Sequence, residues 1–488
     1  MKDILLMLSK LGLTSVLKLN IKIRCKRTIA FGSSFIIFTS PLLTTAQSHQ
    51  FATPTTLSEV AESNLRFIAN EQKTNGDGIY EAYEWPTHIY SSLLPALLGV
   101  GSLIGHDEEA TAFTTASVMN QLATLYIENP EEHEKPEFRA IPGLLAKGAG
   151  SFARYRVGDV YNFYPPRFSQ GVLVHQPADM KLLDLWKGLT NIPPDADTSS
   201  SVFTALTYTA LLNGQTYSLP DEALAEFSLY RDTARQAHFY NRHEHQVETG
   251  AFMTWLANEN DPKMPHSYFD PPEKGARIPF RRNDVDCIVN LNVLRMLTLQ
   301  KKSMIDGHQQ ACDFINRVVE QNQMATCGIY YPNTFNLAFS AAQTEAVGET
   351  CLARSTKSEL VEEILKLQSA DGGWDNDHNI WNDRVQSTAF AMLALFRFAD
   401  LNEVRVQGSL RFATIYLIRE LKRSPEGSYF WPGEVLFTAT AIARSLVVWK
   451  SHSFTTALGA QALLKMQRHF PDYKISFSDY NRALAIRR

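Results

Sequence analysis

The chain carries no excess of charge of either sign: 47 Lys and Arg stand against 51 Asp and Glu over 488 residues, a formal net charge of −4. Nucleic-acid-binding surfaces are normally basic, so no nucleic-acid partner is expected. Cysteine is scarce, five in all, and the spacing of Cys287, Cys312, Cys327 and Cys351 fits no zinc pattern. Strand-like alternation is rare. P-loop, dinucleotide fingerprint and nucleophile elbow are absent, as are acidic tails and low-complexity tracts. No cofactor and no bound metal are therefore expected. Long apolar runs are missing too: the stretch from Ile29 to Leu43 is too short for a comfortable bilayer crossing.

That stretch follows Cys25-Lys26-Arg27 and precedes the small residues Thr44-Thr45-Ala46. A basic flank, a short apolar run and a small-residue cleavage site read as a signal peptide within residues 1–46, hence a periplasmic or secreted protein. An uncleaved membrane anchor is the alternative, with membrane-surface contact its consequence. The preceding stretch, including Ile4 to Leu17, also fits a start codon assigned too early. Export places the four remaining cysteines in an oxidising compartment, where two disulfides are possible but their connectivity is not deducible.

What is present is a recurring phrase. An aromatic-aliphatic pair closes a helix, then come Gly, any residue and an aromatic: Phe67-Ile68…Gln72…Gly78-Ile79-Tyr80, and Phe314-Ile315…Gly328-Ile329-Tyr330. It returns as Ile364…Gln368…Gly372-Gly373-Trp374 and Tyr416-Leu417…Leu421…Gly427-Ser428-Tyr429. Apolar spacing predicts helices over 58–73, 87–103, 110–128, 138–156, 178–189, 198–213, 221–242 and 284–300. It predicts 306–322 with 334–347, 358–369 with 384–400, 408–422 with 434–450, and finally 453–467. Paired helices that cannot bury their faces alone must stack or close into a ring. The second helix of several pairs is rich in small residues, such as Ser199-Ser200-Ser201, Ser387-Thr388-Ala389 and Thr438-Ala439-Thr440-Ala441, which suits a crowded inner ring. Segments 157–177 and 243–283 break the rhythm and read as long functional loops.

The phrase Ile364…Gln368-x-x-x-Gly372-x-Trp374, with Gln386-Ser387-Thr388-Ala389 opening the next helix, resembles the QW repeat of squalene–hopene cyclases and related terpene cyclases. The resemblance covers roughly 306–450 and, more weakly, 64–95. It implies an all-α fold, an α/α toroid of about six or seven helix pairs over residues 47–488, of a kind shared with prenyltransferases. A two-barrel arrangement is the alternative. The Gly-Cys-Gly-Glu-Gln run of thioester toroids is absent.

Two predicted inner helices open on paired acids, Asp195-Ala-Asp197-Thr198 and Asp284-Val-Asp286-Cys287. They resemble the Asp-x-Asp-Asp of class II terpene cyclases, whose middle Asp protonates an alkene or epoxide. The resemblance implies Asp286 as proton donor with Asp284 as companion, and Asp195-x-Asp197 as a variant of the same motif. Thr198 and Cys287 stand where that motif has its last Asp. An alkene is a very weak base, so the acid must be kept protonated and desolvated. The simpler reading of both pairs is capping, since Asp is a leading N-cap residue.

Aromatics cluster beside prolines before the inner helices or in the long loops: Tyr80, Tyr83 and Trp85; Tyr161, Phe163 and Tyr164; Tyr268 and Phe269; Tyr330 and Tyr331; Tyr429, Phe430 and Trp431. Together with Trp374 they are candidates for a rim that steadies a carbocation by cation–π attraction, stacks a sugar, or simply packs turns. Arg277, Arg281 and Arg282 flank the second acid pair and suit an anionic group or salt bridges to those acids. His243-Glu244-His245 places its rings on different helix faces, and Asp375-x-Asp377-x-Asn379 lacks the later residues of a calcium loop. Three functions remain open. One is an isoprenoid cyclase. Another is an exported carbohydrate-active toroid, lyase or hydrolase, with Asp197 and Asp286 as acid and base on a glycan. The third is a non-catalytic binding toroid.

Overall fold

A computed structural model describes residues 56–91, 105–178, 190–233, 248–265, 270–279, 282–376, 381, 383–439 and 447–474. The expected leader 1–46, Tyr268, Phe269, Arg281, His243-Glu244-His245, Asp377 and Asn379 lie outside the described residues. The chain divides into a unit of residues 1–53 with 91–105 and a unit of residues 54–90 with 106–488, to which nearly all described residues belong.

The second unit is built from twelve main helices that alternate in character. The even-numbered ones are α2 (Ala112–Glu128), α4 (Ala196–Leu212), α6 (Cys287–Leu299), α8 (Asn336–Ala346), α10 (Arg384–Phe398) and α12 (His452–His469). Each packs on the next, and α12 packs on α2, so they close an inner ring. Of the odd-numbered helices, α1 (Leu57–Glu71) packs on α12, α3 (Ile141–Ser151) on α2 and α4, and α7 (His308–Glu320) on α6. Further round, α9 (Arg354–Lys366) packs on α10, and α11 (Val404–Glu420) on α10 and α12. The short α5 (Asp221–Leu229) holds the corresponding place in the chain before α6. This is an all-α toroid with six helix pairs among the described residues.

Burial explains the two roles. Helix α2 is buried without a break from Ala112 to Leu125, and α10 from Val385 to Phe396. A helix apolar or small all round belongs inside. By contrast α9 buries only Thr356, Leu360, Val361 and Ile364, one stripe at helical spacing. The inner helices also run the same way. Near their starts, Asn292 bonds Asp197 and Thr455 bonds Gln386, while far from the starts of three helices Arg295 reaches Thr124 and Tyr208.

Three tryptophans build joints between pairs; only Trp374 is the aromatic of the recurring phrase, while Trp85 and Trp431 follow its Tyr80 and Tyr429. The indole N–H of Trp85, Trp374 and Trp431 donates to the carbonyls of Ile68, Ile364 and Leu417 on the preceding outer helices, at 2.7–2.9 Å. The backbone N–H of the same three residues donates to Thr115, Thr388 and Thr456 in the first turns of the following inner helices. Gln72 and Gln368 each donate to a carbonyl of their own loop and to one on the next outer helix, Leu144 and Ser409. Gly372 has φ of 93°, and a Cβ there would overlap the Phe412 carbonyl, so only glycine fits.

Two predicted helices are not helices in the described residues. β1 (Thr87–Ser91) opens the segment 87–103, β2 (Gly105–Glu109) follows it, and β5 (Val435–Thr438) and β6 (Val447–Lys450) bound 434–450. They form one sheet in the order β2-β1-β6-β5. Val435, Val447, Val448 and Trp449 are β-branched or aromatic, and that preference prevailed over the helical spacing. The inner partners of α1 and α11 are therefore α2 and α12. Within the loop 157–177, β3 (Pro166–Ser169) and β4 (Val172–His175) form a hairpin across Gln170-Gly171.

Disulfides join Cys287 to Cys327 and Cys312 to Cys351. The first ties the start of α6 to the loop before Tyr330, and the second ties α7 to the turn before α9. No helix among the described residues is long and apolar enough to cross a membrane.

Candidate active site

Because the inner helices are parallel, their N-termini gather on one rim, and so do both acid pairs. The two pairs use their carboxylates differently. On α4 the N-cap is Asp195, whose Oδ1 accepts from Thr198 N at 2.6 Å. Asp197 lies within the first turn. Its Oδ1 accepts from Asn292 Nδ2 at 2.7 Å, and its Oδ2 from the Tyr331 hydroxyl. On α6 the N-cap is the second acid, Asp286. Its Oδ1 accepts from Ile288 N at 2.7 Å and Val289 N at 3.2 Å, and its Oδ2 from Tyr330 N at 3.0 Å. Both oxygens of Asp286 are thus occupied by main-chain N–H groups. Asp284 precedes the helix and accepts from the Tyr330 hydroxyl at 2.7 Å.

Burial raises all three carboxyls for which a shift is resolved. It pushes Asp195 up to about 7, against the Thr198 and Asp197 amides. It pushes Asp197 up to about 8, helped by the neighbouring Asp195 and opposed by Tyr331 and Asn292. Asp286 is raised by burial, with its backbone donors pulling the other way. Burial thus favours the protonated form of Asp197, which keeps 9% exposure where Asp286 has none.

Tyr331 and Asn292, which hold Asp197, both line a cavity of about 40 Å³ inside the ring. The cavity has two ends. Phe113, Ile288, Phe339 and Phe454 come from the first four residues of their helices and face it near the rim. Asn120, Arg295 and Gln343 come from positions eight or nine and line its lower part. An aromatic group caps the rim side: Phe113 meets Tyr331 at 6.3 Å and Phe437 at 5.8 Å, and Phe437 stacks on Trp449 at 4.4 Å between ring centroids.

The other sequence candidates disperse. Trp85, Trp374 and Trp431 are fully buried in the joints described above. Tyr83 is half-buried beside Lys147, and Tyr164 is buried against Phe163. Arg282 is exposed. Of the candidates only Tyr331 lines the cavity, and Asp197 stands behind it, bonded to Tyr331 and Asn292. Asn292 and Arg295 were missed, because polar residues on an otherwise apolar helix carry no motif; their spacing of three, which puts both on one face, was the available signal. Glu434 was missed as well. It accepts from Val385 N and Gln386 N at the start of α10, and burial with Asp383 beside it pushes it up to about 8. His308, Cys312 and Glu349 lie together, but Cys312 is in a disulfide and His308 pairs with Glu349 at 2.8 Å.

The sequence matches no protein-family profile and no curated protein sequence. Its fold is similar to that of the type II terpene cyclase MstE from Scytonema. An asparagine variant of that protein in complex with geranylgeranyl dihydroxybenzoate, its substrate, superposes with a TM-score of 0.52 at 13% identity, over 85% of this chain and 98% of that one. An alanine variant in complex with the product merosterolic acid A gives 0.51 at 13% identity, with the same coverage. At this identity the likeness shows the fold.

Proposed function

We propose that the protein is a terpene-cyclase-like enzyme in which Asp197 donates a proton to a carbon–carbon double bond of an isoprenoid held in the ring. The observation that carries this reading is a buried carboxyl held by two cavity-lining residues beside an aromatic rim, where burial favours its protonated form. Proton transfer from Asp197 to the terminal alkene carbon leaves a tertiary carbocation, which an internal double bond attacks to close a ring. Loss of a proton from a neighbouring carbon ends the reaction at unchanged mass. Phe113, Tyr331, Phe339 and Phe454 line the cavity, and aromatic rings suit a developing cation. The Tyr331 hydroxyl and the Asn292 amide orient the acid and stabilise the carboxylate it becomes. Similarity to a cyclase that binds a prenylated substrate supports the substrate class.

The donor assigned is Asp197 rather than Asp286, whose oxygens are committed to three backbone amides. The same commitment weighs against Asp197 and Asp286 as an acid–base pair on a glycan. At about 40 Å³ the cavity holds about three water molecules, so an isoprenoid enters only as ring side chains move apart. Two disulfides support export to an oxidising compartment, where a membrane-extracted isoprenoid is the accessible substrate.

The test is incubation of the protein with isoprenoids in D2O. A product isomeric with its substrate and carrying one deuterium, formed by the wild type and lost in Asp197→Asn, is expected. Product formed equally by Asp197→Asn would sink the assignment.

A further inference from the structure

The lower half of the cavity is unlike its rim. Arg295 projects there from α6, 6% exposed, and its Nη2 donates to the hydroxyls of Thr124 at 3.0 Å and Tyr208 at 3.2 Å. Its guanidinium also lies over the Tyr208 ring, 5.5 Å from the centroid. These partners are neutral. Its Nε, Asn120 Oδ1 and Gln343 Oε1 are buried without a hydrogen-bonding partner among the described residues. A buried cation normally has an anion beside it, because hydroxyls and a ring face recover only part of its lost hydration. Three polar atoms left over around one guanidinium mark a place shaped for something the protein does not itself supply.

Chemistry narrows that something. A planar guanidinium fork matches a planar carboxylate, which accepts two parallel N–H donors. The Asn120 amide is oriented by its Nδ2, which donates to the Ser201 carbonyl at 3.0 Å and keeps a second N–H, whereas the O and N of the Gln343 amide exchange to suit a ligand. Depth gives the length. Asp197 and Tyr208 stand 11 residues apart on α4 (208 − 197), about 16 Å along the axis. The guanidinium that meets the Tyr208 hydroxyl is therefore on the order of 10 Å below the acid.

We infer that the lower cavity is a binding site for the carboxylate head of an amphipathic ligand, with Arg295 as its counter-ion and Asn120 and Gln343 orienting it. The apolar body of the ligand runs up between Phe113, Ile288, Phe339 and Phe454. The idea rests on the acid reading of Asp197 only for what the upper end of the ligand meets. It also removes an electrostatic obstacle: an unneutralised guanidinium would oppose a carbocation in the same cavity, and a bound carboxylate cancels it.

Equilibrium binding by calorimetry separates this site from the chemistry. Farnesoic acid, farnesol and benzoate are titrated into the wild type, Asp197→Asn, Arg295→Met and Arg295→Lys, with near-ultraviolet circular dichroism to check each fold. Farnesoic acid is expected to bind the wild type and Asp197→Asn about 10- to 100-fold more tightly than farnesol. That preference disappears in Arg295→Met and survives in part in Arg295→Lys. Equal affinity for acid and alcohol in the wild type overturns the inference, as does a preference that persists in Arg295→Met or a wild type that binds neither carboxylate. Tight acid binding with no cyclised product defeats the catalytic reading and leaves this one standing. Product from farnesol without preference for the acid does the reverse.

Discussion

The starts of α4 and α6 carry the same three-residue phrase, Asp-x-Asp, on the same rim, yet the cap falls on the first acid in one and on the second in the other. On α4 this puts Asp197 at the second position of the helix, where its side chain turns to Asn292 and Tyr331. On α6 it puts Asp286 at the cap, with three amides to satisfy. The residues that follow differ in kind. Thr198 receives the Asp195 cap, whereas Cys287 is tied to Cys327. A shift of two residues in where a helix begins thus gives one motif two sets of partners, cavity-lining side chains for Asp197 and backbone amides for Asp286.

That division is open to attack by substitution. Asp197→Asn should lower product formation about 1,000-fold, within the range for loss of a general acid. Asp284→Asn, which keeps an acceptor for the Tyr330 hydroxyl, should stay within about tenfold; both are read as initial rates by mass spectrometry. If Asp284→Asn were the more damaging, the two helix starts would have been assigned the wrong way round.

Stability should show the opposite ranking. Asp286→Ala leaves three buried amides without an acceptor, and a loss of about 3 to 4 kcal/mol in urea unfolding is expected. Asp195→Ala removes one cap bond, for about 1 kcal/mol. Between these lies the disulfide: Cys287→Ser with Cys327→Ser should cost about 3 kcal/mol, since it closes a loop of 40 residues. Equal losses for Asp195→Ala and Asp286→Ala would erase the distinction between cap and clamp.

The raised carboxyls also predict a dependence on pH. A carboxyl raised by burial keeps its proton in the folded chain while the unfolded chain releases it. Stability therefore falls as pH rises from about 4, the ordinary Asp value, to about 8 for Asp197. Asp197→Asn cannot ionise, so its melting temperature relative to the wild type should rise by a few degrees between pH 5 and pH 9. Asp195, pushed up to about 7, shares the titration, so the alkaline limb of the activity profile belongs to the pair. A melting difference independent of pH would mean that Asp197 is ionised in the folded protein.

Sequence periodicity located ten of the twelve main helices to within a few residues, because an inner or outer helix writes its burial into every turn. The other two were shorter than expected: 221–242 is helical over Asp221–Leu229, and 138–156 over Ile141–Ser151. The strand pairs failed for a physical reason. Val435–Thr438 and Val447–Lys450 lie next to each other and beside Thr87–Ser91 only once the ring has closed.

By itself, then, the sequence determined that the chain is helical, that its helices come in pairs, and that a Gly-x-aromatic phrase recurs between them; that Trp85 and Trp431 share the role of Trp374 was shown by the structure. The first three are local properties, set by turn-by-turn burial and by turns whose positive φ glycine adopts without strain. The tertiary structure alone decided which acid meets side chains and which meets backbone amides. It brought Tyr331, Asn292 and Asp197 together across 134 residues of chain, and placed a guanidinium beneath them. Capping, burial and hydrogen-bond supply at one carboxylate depend on atoms from two helices and a loop, and no spacing along one segment records them.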